Sequence, residues 1–317
     1  MYYSIQHITR YRYNSPIREN ITEVRMRPRS EGNQRCFKFK LLLTPHAQAA
    51  WFEDYLGNIV HHFDIPGQHV QLTIKAEASV EVQPAAPLPQ ALSQQSWQAL
   101  DRLADHGAYW DTLQPSHFTQ ATPLLDDLAT EFNLSRQIVD PLTFLRHLNQ
   151  AMYGAFDYAP QSTEVDTPIA EAITARRGVC QDFTHIMIAL VRRSGIPCRY
   201  VSGYLFHREE QHDRSAEDAS HAWVEAYLPE LGWLGFDPTN NLIANERHIR
   251  VAVGRDYADV PPTRGIYKGE AEAELSVGVR VALADAPPEP DETILPDTAW
   301  DEPQEQDELQ WQQQQQQ

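Results

Sequence analysis

The chain has 317 residues, 42% of them hydrophobic, and a formal net charge of −18. This length is enough for two domains with substantial cores. The acidic balance argues against a nucleic-acid-binding protein, and the lack of any run of about 18 apolar residues argues against a membrane span.

Residues 1–83 are predicted to form a small antiparallel sheet or sandwich. Within residues 3–13, aromatic and aliphatic side chains alternate with polar ones, and this period of two is typical of a strand. The alternation returns at residues 71–82. Residues 84–91 are rich in proline and are predicted to form a stiff linker.

Residues 92–283 are predicted to hold a helical half followed by an antiparallel sheet, which gives the fold class α+β. Residues 141–152 carry apolar side chains spaced by three and four, the spacing of one helix face. The strands of the sheet are predicted at residues 200–206, 221–228 and 233–236. Residues 284–317 are acidic, contain several prolines and end in six glutamines, so a disordered tail is predicted.

The three cysteines, Cys36, Cys180 and Cys198, provide no disulfide framework. Because residues 1–7 also lack the apolar segment of a secretory signal, we expect a cytoplasmic protein. Free cysteines are usually buried, and we interpret Cys36 and Cys198 as core residues. Cys180 differs, because the turn at Gly178 delivers it to the start of a strongly apolar helix.

The position of Cys180 favours reactivity. A helix N-terminus carries partial positive charge and unpaired N–H groups, which favour the thiolate form of a cysteine. We therefore predict that Cys180 is a nucleophile, and that its own backbone N–H helps to stabilise an oxyanion. A second oxyanion donor is needed, and Gln181 and Trp110 are the candidates.

His221 is the predicted general base among 13 histidines. It opens a strand with small apolar residues at alternate positions, so His221 and Trp223 are predicted to face a cleft while Ala222 faces the core. Three further histidines are assigned no catalytic role. His185 is predicted to pack within the helix that begins at Cys180, and His207 and His212 are predicted to be solvated in a charged loop.

Asp237 ends the next strand and is predicted to orient the imidazole of His221 and stabilise its cation. If Leu228 pairs with Trp233, Asp237 lies opposite Val224, about three residues or roughly 10 Å short of His221. A bulge or a longer loop is then required to close the gap. The alternative is that the segment around Asp237 is only a turn.

In combination, these motifs resemble the bacterial branch of the transglutaminase-like superfamily. The matching core segments are residues 177–185, 194–204, 221–225 and 236–239, and the matching N-terminal segments are residues 11–13, 27–29 and 54–58. The resemblance implies an N-terminal β domain followed by a papain-like core with a Cys-His-Asp triad, which maps onto Cys180, His221 and Asp237.

Two departures from animal cross-linking enzymes follow from the same comparison. Gln181 follows the cysteine where those enzymes have an aromatic residue, and no pattern of spaced acidic ligands indicates a calcium loop. We therefore predict no cofactor and no metal, and calcium-dependent cross-linking is not expected.

Three functions are compatible with this sequence. The first is a cysteine peptidase or amidase that acts on a peptide or protein substrate through an acyl-enzyme. The second is a transglutaminase or amide-forming acyltransferase, which differs only in using an amine acceptor. The third is a non-enzymatic binding module built on the basic, aromatic residues 1–40. We favour hydrolysis because the sequence shows no dedicated amine site, and it gives no indication of the oligomeric state.

Overall fold

The computed structural model describes residues 1–105, 107, 109–208 and 212–284. The predicted α+β class is confirmed, and residues 1–83 form antiparallel strands. These are β1 (Tyr2–Val24), β2 (Gln34–Thr44), β3 (Ala50–Glu53), β4 (Ile59–Ile65) and β5 (His69–Val82). They lie in the order β2-β5-β1-β4-β3, so the long strand β1 occupies the middle of the sheet.

Helices dominate the next part of the chain. They are α1 (Ser96–Asp105), α2 (Trp110–Leu113), α3 (Leu124–Glu131), α4 (Pro141–Ala155), α5 (Ile169–Ala175) and α6 (Cys180–Arg193). The start of α4 shows why a helix forms there. Asp140 caps it by accepting hydrogen bonds from the N–H groups of Leu142 and Thr143, and Pro141 occupies the first turn, where its missing N–H costs nothing.

Two short strands, β6 (Asp157–Tyr158) and β7 (Arg177–Gly178), pair in parallel just before α6. The core sheet follows. Its strands are β8 (Cys198–Leu205), β9 (His221–Leu228), β10 (Gly232–Asp237), β11 (Leu242–Ile243) and β12 (His248–Gly254). They lie in the order β11-β10-β9-β8-β12. β12 is not among the strands predicted from the sequence.

The last two strands return to the N-terminal sheet. They are β13 (Thr263–Lys268) and β14 (Ala273–Ala284), and both pair with β1. The sequence assigns residues up to 283 to the catalytic core, but these two strands are hydrogen-bonded to the sheet that begins at residue 2. The N-terminal sheet is therefore built from both ends of the described chain.

One face of the core sheet is apolar and packs against α6. Ala222, Val224 and Ala226 of β9 lie in the same hydrophobic cluster as Ile186 and Leu190 of α6, and all are at most 3% exposed. The burial of these apolar side chains under the helix stabilises the packing of α6 on the sheet. It also anchors α6, and with it the position of Cys180.

The opposite face of the core sheet carries both polar and apolar side chains and is covered by the N-terminal region. The Gln34 side chain exchanges two hydrogen bonds with the Arg250 backbone, at 2.7 and 2.8 Å, and Asn58 does the same with Val253, at 2.8 Å for both. Trp223 packs against Val253 and is fully buried. The prediction that Trp223 faces a cleft is therefore wrong, because the N-terminal region covers that side of β9.

Ion pairs reinforce this covered face. Glu225 is 3% exposed and accepts a hydrogen bond of 2.8 Å from Arg199, while Arg250 lies 3.5 Å from its other oxygen. Arg199 also reaches Glu31 of the N-terminal region at 3.4 Å and stacks on Trp233. A buried carboxylate between two guanidinium groups satisfies the requirement that buried charge be paired.

The remaining sequence predictions concern the linker, the tail and the membrane. The proline-rich residues 84–91 contain no helix or strand, and Arg146 donates to the carbonyls of Pro89 and Gln90. The predicted tail beyond Ala284 lies outside the described residues. Within the described part of the chain, no helix combines the length and the apolar character that crossing a membrane requires.

Candidate active site

Cys180 is the first residue of α6 and is partly exposed. The turn before it is fixed by Asp182, whose carboxylate accepts a hydrogen bond of 2.8 Å from the Val179 N–H and another of 2.7 Å from Thr163. A Cβ on Gly178 would lie 2.7 Å from that carboxylate, so only glycine fits there. The capping carboxylate and the glycine together hold the thiol at the helix N-terminus.

The other two cysteines are buried, as expected for core residues. Cys36 is 8% exposed and Cys198 is completely buried. Burial raises the pKa of each thiol to about 11. Both therefore stay protonated near neutral pH, and Cys180 is the thiol that solvent can reach among the described residues.

His221 opens β9 and is 3% exposed. Its Nε2 atom lies 2.8 Å from Oδ2 of Asp237. Its Nδ1 atom is buried and has no hydrogen-bond partner in the described structure, while the Cys180 thiol lies close enough to act on the ring. The two ring nitrogens thus have different surroundings: Nε2 is hydrogen-bonded to the carboxylate of Asp237, and Nδ1 lies on the side of the ring near the Cys180 thiol.

The charge state of His221 follows from these neighbours. Burial alone would lower the pKa of the imidazole, because it disfavours the cation. The negative charge and hydrogen bond of Asp237 outweigh burial, Cys180 adds to their effect, and the pKa of His221 is raised to about 10. The ring is therefore cationic at neutral pH.

The register of β9 and β10 explains how Asp237 reaches His221. Gly232, rather than Trp233, pairs with Leu228, and Phe236 pairs with Val224. The observed pairing is one residue away from the predicted one, and a shift of one residue turns a side chain to the other face of a sheet. Asp237 therefore follows the parity of His221.

In this register, Asp237 and His221 are diagonal neighbours on one face. Such neighbours lie roughly 7–8 Å apart at the backbone, which aromatic side chains can span. The imidazole bridges that distance directly, so the predicted bulge between the two strands is not needed.

Asp237 is fully buried and receives several hydrogen bonds. Its Oδ1 accepts from the backbone N–H groups of Thr239 and Asn240 at 3.0 and 3.2 Å, and its Oδ2 accepts from the Asn240 side chain at 2.8 Å. Burial alone would raise the pKa of Asp237, but His221 and His248 outweigh it and hold this pKa well below its usual range. The turn expected at this segment is present, and it serves the carboxylate.

His248 is a member of the site that sequence reasoning missed. Its Nδ1 accepts from the Asn245 N–H at 3.2 Å, so the proton resides on Nε2, which lies 3.3 Å from Oδ2 of Asp237. Burial lowers the pKa of His248, the attraction of Asp237 notwithstanding, and the ring is neutral. The β-branched residues Ile249, Val251 and Val253 at alternate positions could have predicted this strand and the histidine at its start.

His221, Asp237 and His248 also satisfy a geometric criterion for a metal site, with ligand atoms within 4.8 Å of one another. Both Nε2 atoms, however, meet the same carboxylate oxygen, and His248 must carry its proton on that nitrogen. A metal ligand uses the unprotonated nitrogen of imidazole. The donor set therefore fits a hydrogen-bonded cluster better than a metal centre.

For the three histidines that were assigned no catalytic role, the structure agrees with some predictions and not with others. His185 is 1% exposed, stacks on Phe118 and accepts from the Tyr257 N–H at 3.2 Å, so it packs as predicted. His212 is exposed. His207, predicted to be solvated, instead lies with its Nδ1 3.4 Å from Asp213.

The two oxyanion-donor candidates are not held at the thiol by any contact in the described structure. Gln181 donates its side-chain amide to the Val165 carbonyl at 2.7 Å. Trp110 lies on the short helix α2 and is 62% exposed. Three tyrosines, by contrast, lie within electrostatic reach of Cys180: Tyr158, Tyr200 and Tyr257.

Comparisons with known proteins agree with this architecture. Residues 3–81 match the bacterial transglutaminase-like N-terminal region, and residues 129–238 match the transglutaminase-like superfamily. An uncharacterized protein of Mycobacterium leprae is 33% identical over 278 residues, which cover 87% of this chain and 97% of that protein.

A protein-glutamine gamma-glutamyltransferase of Pseudomonas aeruginosa is 29% identical over 200 residues, which cover 57% of this chain and 27% of that enzyme. Among solved structures, a protein of Cytophaga hutchinsonii provisionally described as a cysteine protease has a TM-score of 0.68 at 24% identity, covering 91% of this chain and 93% of that one. That likeness shows a shared fold.

Proposed function

This chain belongs to the transglutaminase-like superfamily, and from that membership we propose that it is a thiol-dependent acyl-transfer enzyme that hydrolyses peptide or amide bonds. One observation carries the proposal. The imidazole of His221 is bound to Asp237 through Nε2 at 2.8 Å, while Nδ1 has no hydrogen-bond partner among the described residues and lies beside the Cys180 thiol.

The chemistry follows from these positions. The Cys180 thiolate attacks the carbonyl carbon, and an electron pair of the C=O bond moves to the oxygen. This oxygen accepts a hydrogen bond from the backbone N–H of Cys180. His221 donates its Nδ1 proton to the departing amine, which leaves a thioester on Cys180. His221 then takes a proton from water, the resulting hydroxide attacks the thioester, and the thiolate and imidazolium are restored.

Asp237 keeps its negative charge throughout. It holds the proton of His221 on Nε2 and stabilises the imidazolium, as the carboxylate of such triads does. The hydrogen bonds from Thr239, Asn240 and His248 keep the carboxylate ionised and fix its orientation. His248 and Asn240 act through Asp237 and are positioning residues.

A second outcome of the same acyl-enzyme is transfer to a primary amine. The relative from Pseudomonas aeruginosa is named as a protein-glutamine gamma-glutamyltransferase, and its similarity to this chain covers 57% of the chain. The attack on the substrate and the thioester are the same for both outcomes. Only the nucleophile that resolves the thioester differs.

An experiment with a blocked glutamine peptide and a fluorescent primary amine separates the two outcomes. We expect the glutamate peptide to form with the wild-type chain and not with Cys180→Ala. Cys36→Ala serves as the matched control, because it removes a buried thiol and should retain activity. A product that contains the amine would establish transfer instead. Equal turnover by Cys180→Ala would refute the role of this thiol.

A further inference from the structure

The carbonyl oxygen that becomes negative during attack needs a second donor besides the Cys180 N–H. Three tyrosines lie near the thiol, and their burial separates them. Tyr200 is 2% exposed and packs against the rings of His185 and Tyr257. A hydroxyl enclosed in this way cannot touch a substrate. Tyr158 and Tyr257 are partly exposed.

The backbone places Tyr158 beside the cysteine turn. In the parallel pair of β6 and β7, Tyr158 is opposite Gly178, and the N–H of the next residue, Ala159, donates to the Gly178 carbonyl at 2.9 Å. Tyr158 and Cys180 border the same hydrophobic cluster. The position of Tyr158 relative to the thiol is therefore fixed by main-chain hydrogen bonds only two residues from Cys180.

The hydroxyl of Tyr158 is also oriented. The backbone N–H of Ala216 donates to it, and within the described structure no residue accepts the hydroxyl proton. A hydroxyl oxygen that accepts a hydrogen bond on one side can donate its own proton to a group on another side. Burial and the nearby Cys180 raise the pKa of Tyr158, so the hydroxyl keeps that proton at neutral pH.

The loop that carries Ala216 is tied to the carboxylate of the triad. The Asn240 side-chain oxygen accepts from the N–H groups of Arg214 and Ser215 at 2.7 and 3.2 Å, and its nitrogen donates to Asp237 at 2.8 Å. On the other side, the Val279 N–H in β14 donates to the Asp218 carbonyl at 2.9 Å. Ala216 thus lies between two anchored positions.

From this geometry, and resting on the acyl-transfer function proposed above, we propose that the Tyr158 hydroxyl is the second oxyanion donor. As the Cys180 sulfur bonds to the carbonyl carbon, the oxygen gains the electron pair of the double bond and accepts two hydrogen bonds. One comes from the Cys180 N–H and the other from the Tyr158 O–H. When the tetrahedral intermediate collapses, the double bond re-forms, the leaving group departs and the thioester remains.

The test uses the full chain and two reagents that share the thiolate but differ in the oxyanion. 4-Nitrophenyl acetate acylates Cys180 through a tetrahedral oxyanion, whereas iodoacetamide alkylates it by substitution at a saturated carbon. In Tyr158→Phe, the rate constant for acylation should fall by about 10²-fold, the loss typical of one missing oxyanion donor. Alkylation should proceed at the wild-type rate. Tyr200→Phe is the matched control and should leave both rates unchanged.

The possible results separate this assignment from the function on which it rests. If the wild type is acylated and Tyr158→Phe is acylated equally fast, the donor assignment is wrong and the proposed function stands. If acylation and alkylation fall together, Tyr158 acts on the thiolate rather than on the oxyanion, which also overturns the assignment. If the wild type is alkylated at Cys180 but forms no acyl-enzyme, the proposed function fails and the assignment fails with it.

Discussion

The two faces of the core sheet differ in what holds them together and in what they do. Toward α6, β9 presents Ala222, Val224 and Ala226, which pack by shape and apolar area. Toward the N-terminal region, the same strand presents Trp223, which packs against Val253, and Glu225, which is buried in an ion pair with Arg199. His221 and Asp237 belong to the parity of this face.

The comparison teaches that packing against α6 and the proposed chemistry are divided between alternating residues of one strand. An apolar face tolerates the loss of a methyl group at a graded cost, because its neighbours relax. A buried polar face is less tolerant, because removing one partner leaves another charge or donor unpaired. The N-terminal region is therefore needed to bury the face of the core sheet on which His221 and Asp237 lie.

The largest effect is expected for Asp237→Asn. This change removes the charge that stabilises the His221 cation and should lower the rate of acylation on the order of 10³–10⁴-fold. The measurement is the pre-steady-state release of 4-nitrophenolate. Val224→Ala, on the apolar face of the adjacent strand, should instead cost roughly 2 kcal/mol of unfolding free energy and keep the acylation rate. If the two variants lost activity equally, the division between the faces would be disproved.

A smaller effect is expected at Glu225, a charged residue of the covered face to which no catalytic role is assigned. Glu225→Ala leaves Arg199 and Arg250 without their shared carboxylate and should lower the free energy of unfolding by roughly 3 kcal/mol. Urea denaturation measures this. Glu77→Ala, which breaks the exposed pair with Lys75, is the control and should cost about 1 kcal/mol or less. Similar losses of unfolding free energy in both variants would show that a buried ion pair on the covered face stabilises the protein no more than an exposed one.

The smallest effect is expected from pH. The pKa of His221 is raised from 6.5 to about 10 in the folded chain, so its contribution to stability is fully present below 6.5 and is lost as pH rises toward 10. Between about pH 7 and 8.5 the free energy of unfolding should therefore fall by roughly 2 kcal/mol. Thermal unfolding of the wild type and of His221→Gln across this range isolates the contribution. An equal fall in both proteins would count against the raised pKa.

Much of the fold was predictable because its signals are local. The alternation of β1, the spacing of apolar residues in α4 and the glycine turn before Cys180 each depend on residues close in sequence. The same is true of the apolar parity of β9. These patterns were enough to predict the α+β class and to select Cys180 and His221 as candidates, whereas the role of Asp237 depended on the resemblance to the transglutaminase-like superfamily.

The parts that were not predictable depend on contacts between distant segments. The register of β9 and β10 is set by where the hairpin turn closes, and a difference of one residue there reverses the face of Asp237. The covering of Trp223 depends on Asn58 and Leu56, more than 160 residues earlier in the chain. No pattern within β9 itself distinguishes a cleft from a face buried under another domain.

The pairing of β1 with β14 has a consequence for how the protein is made. Twelve consecutive residues of β1, from Tyr2 to Tyr13, are matched with Ala284 to Ala273. During translation this edge of β1 has no β14 to pair with until the ribosome has synthesised the helices and the core sheet that lie between the two strands in sequence. The nascent sheet meanwhile exposes an open hydrogen-bonding edge, a state that favours misassociation between chains. Arrival of the final strand closes it, so completion of the N-terminal sheet follows synthesis of the thiol, imidazole and carboxylate.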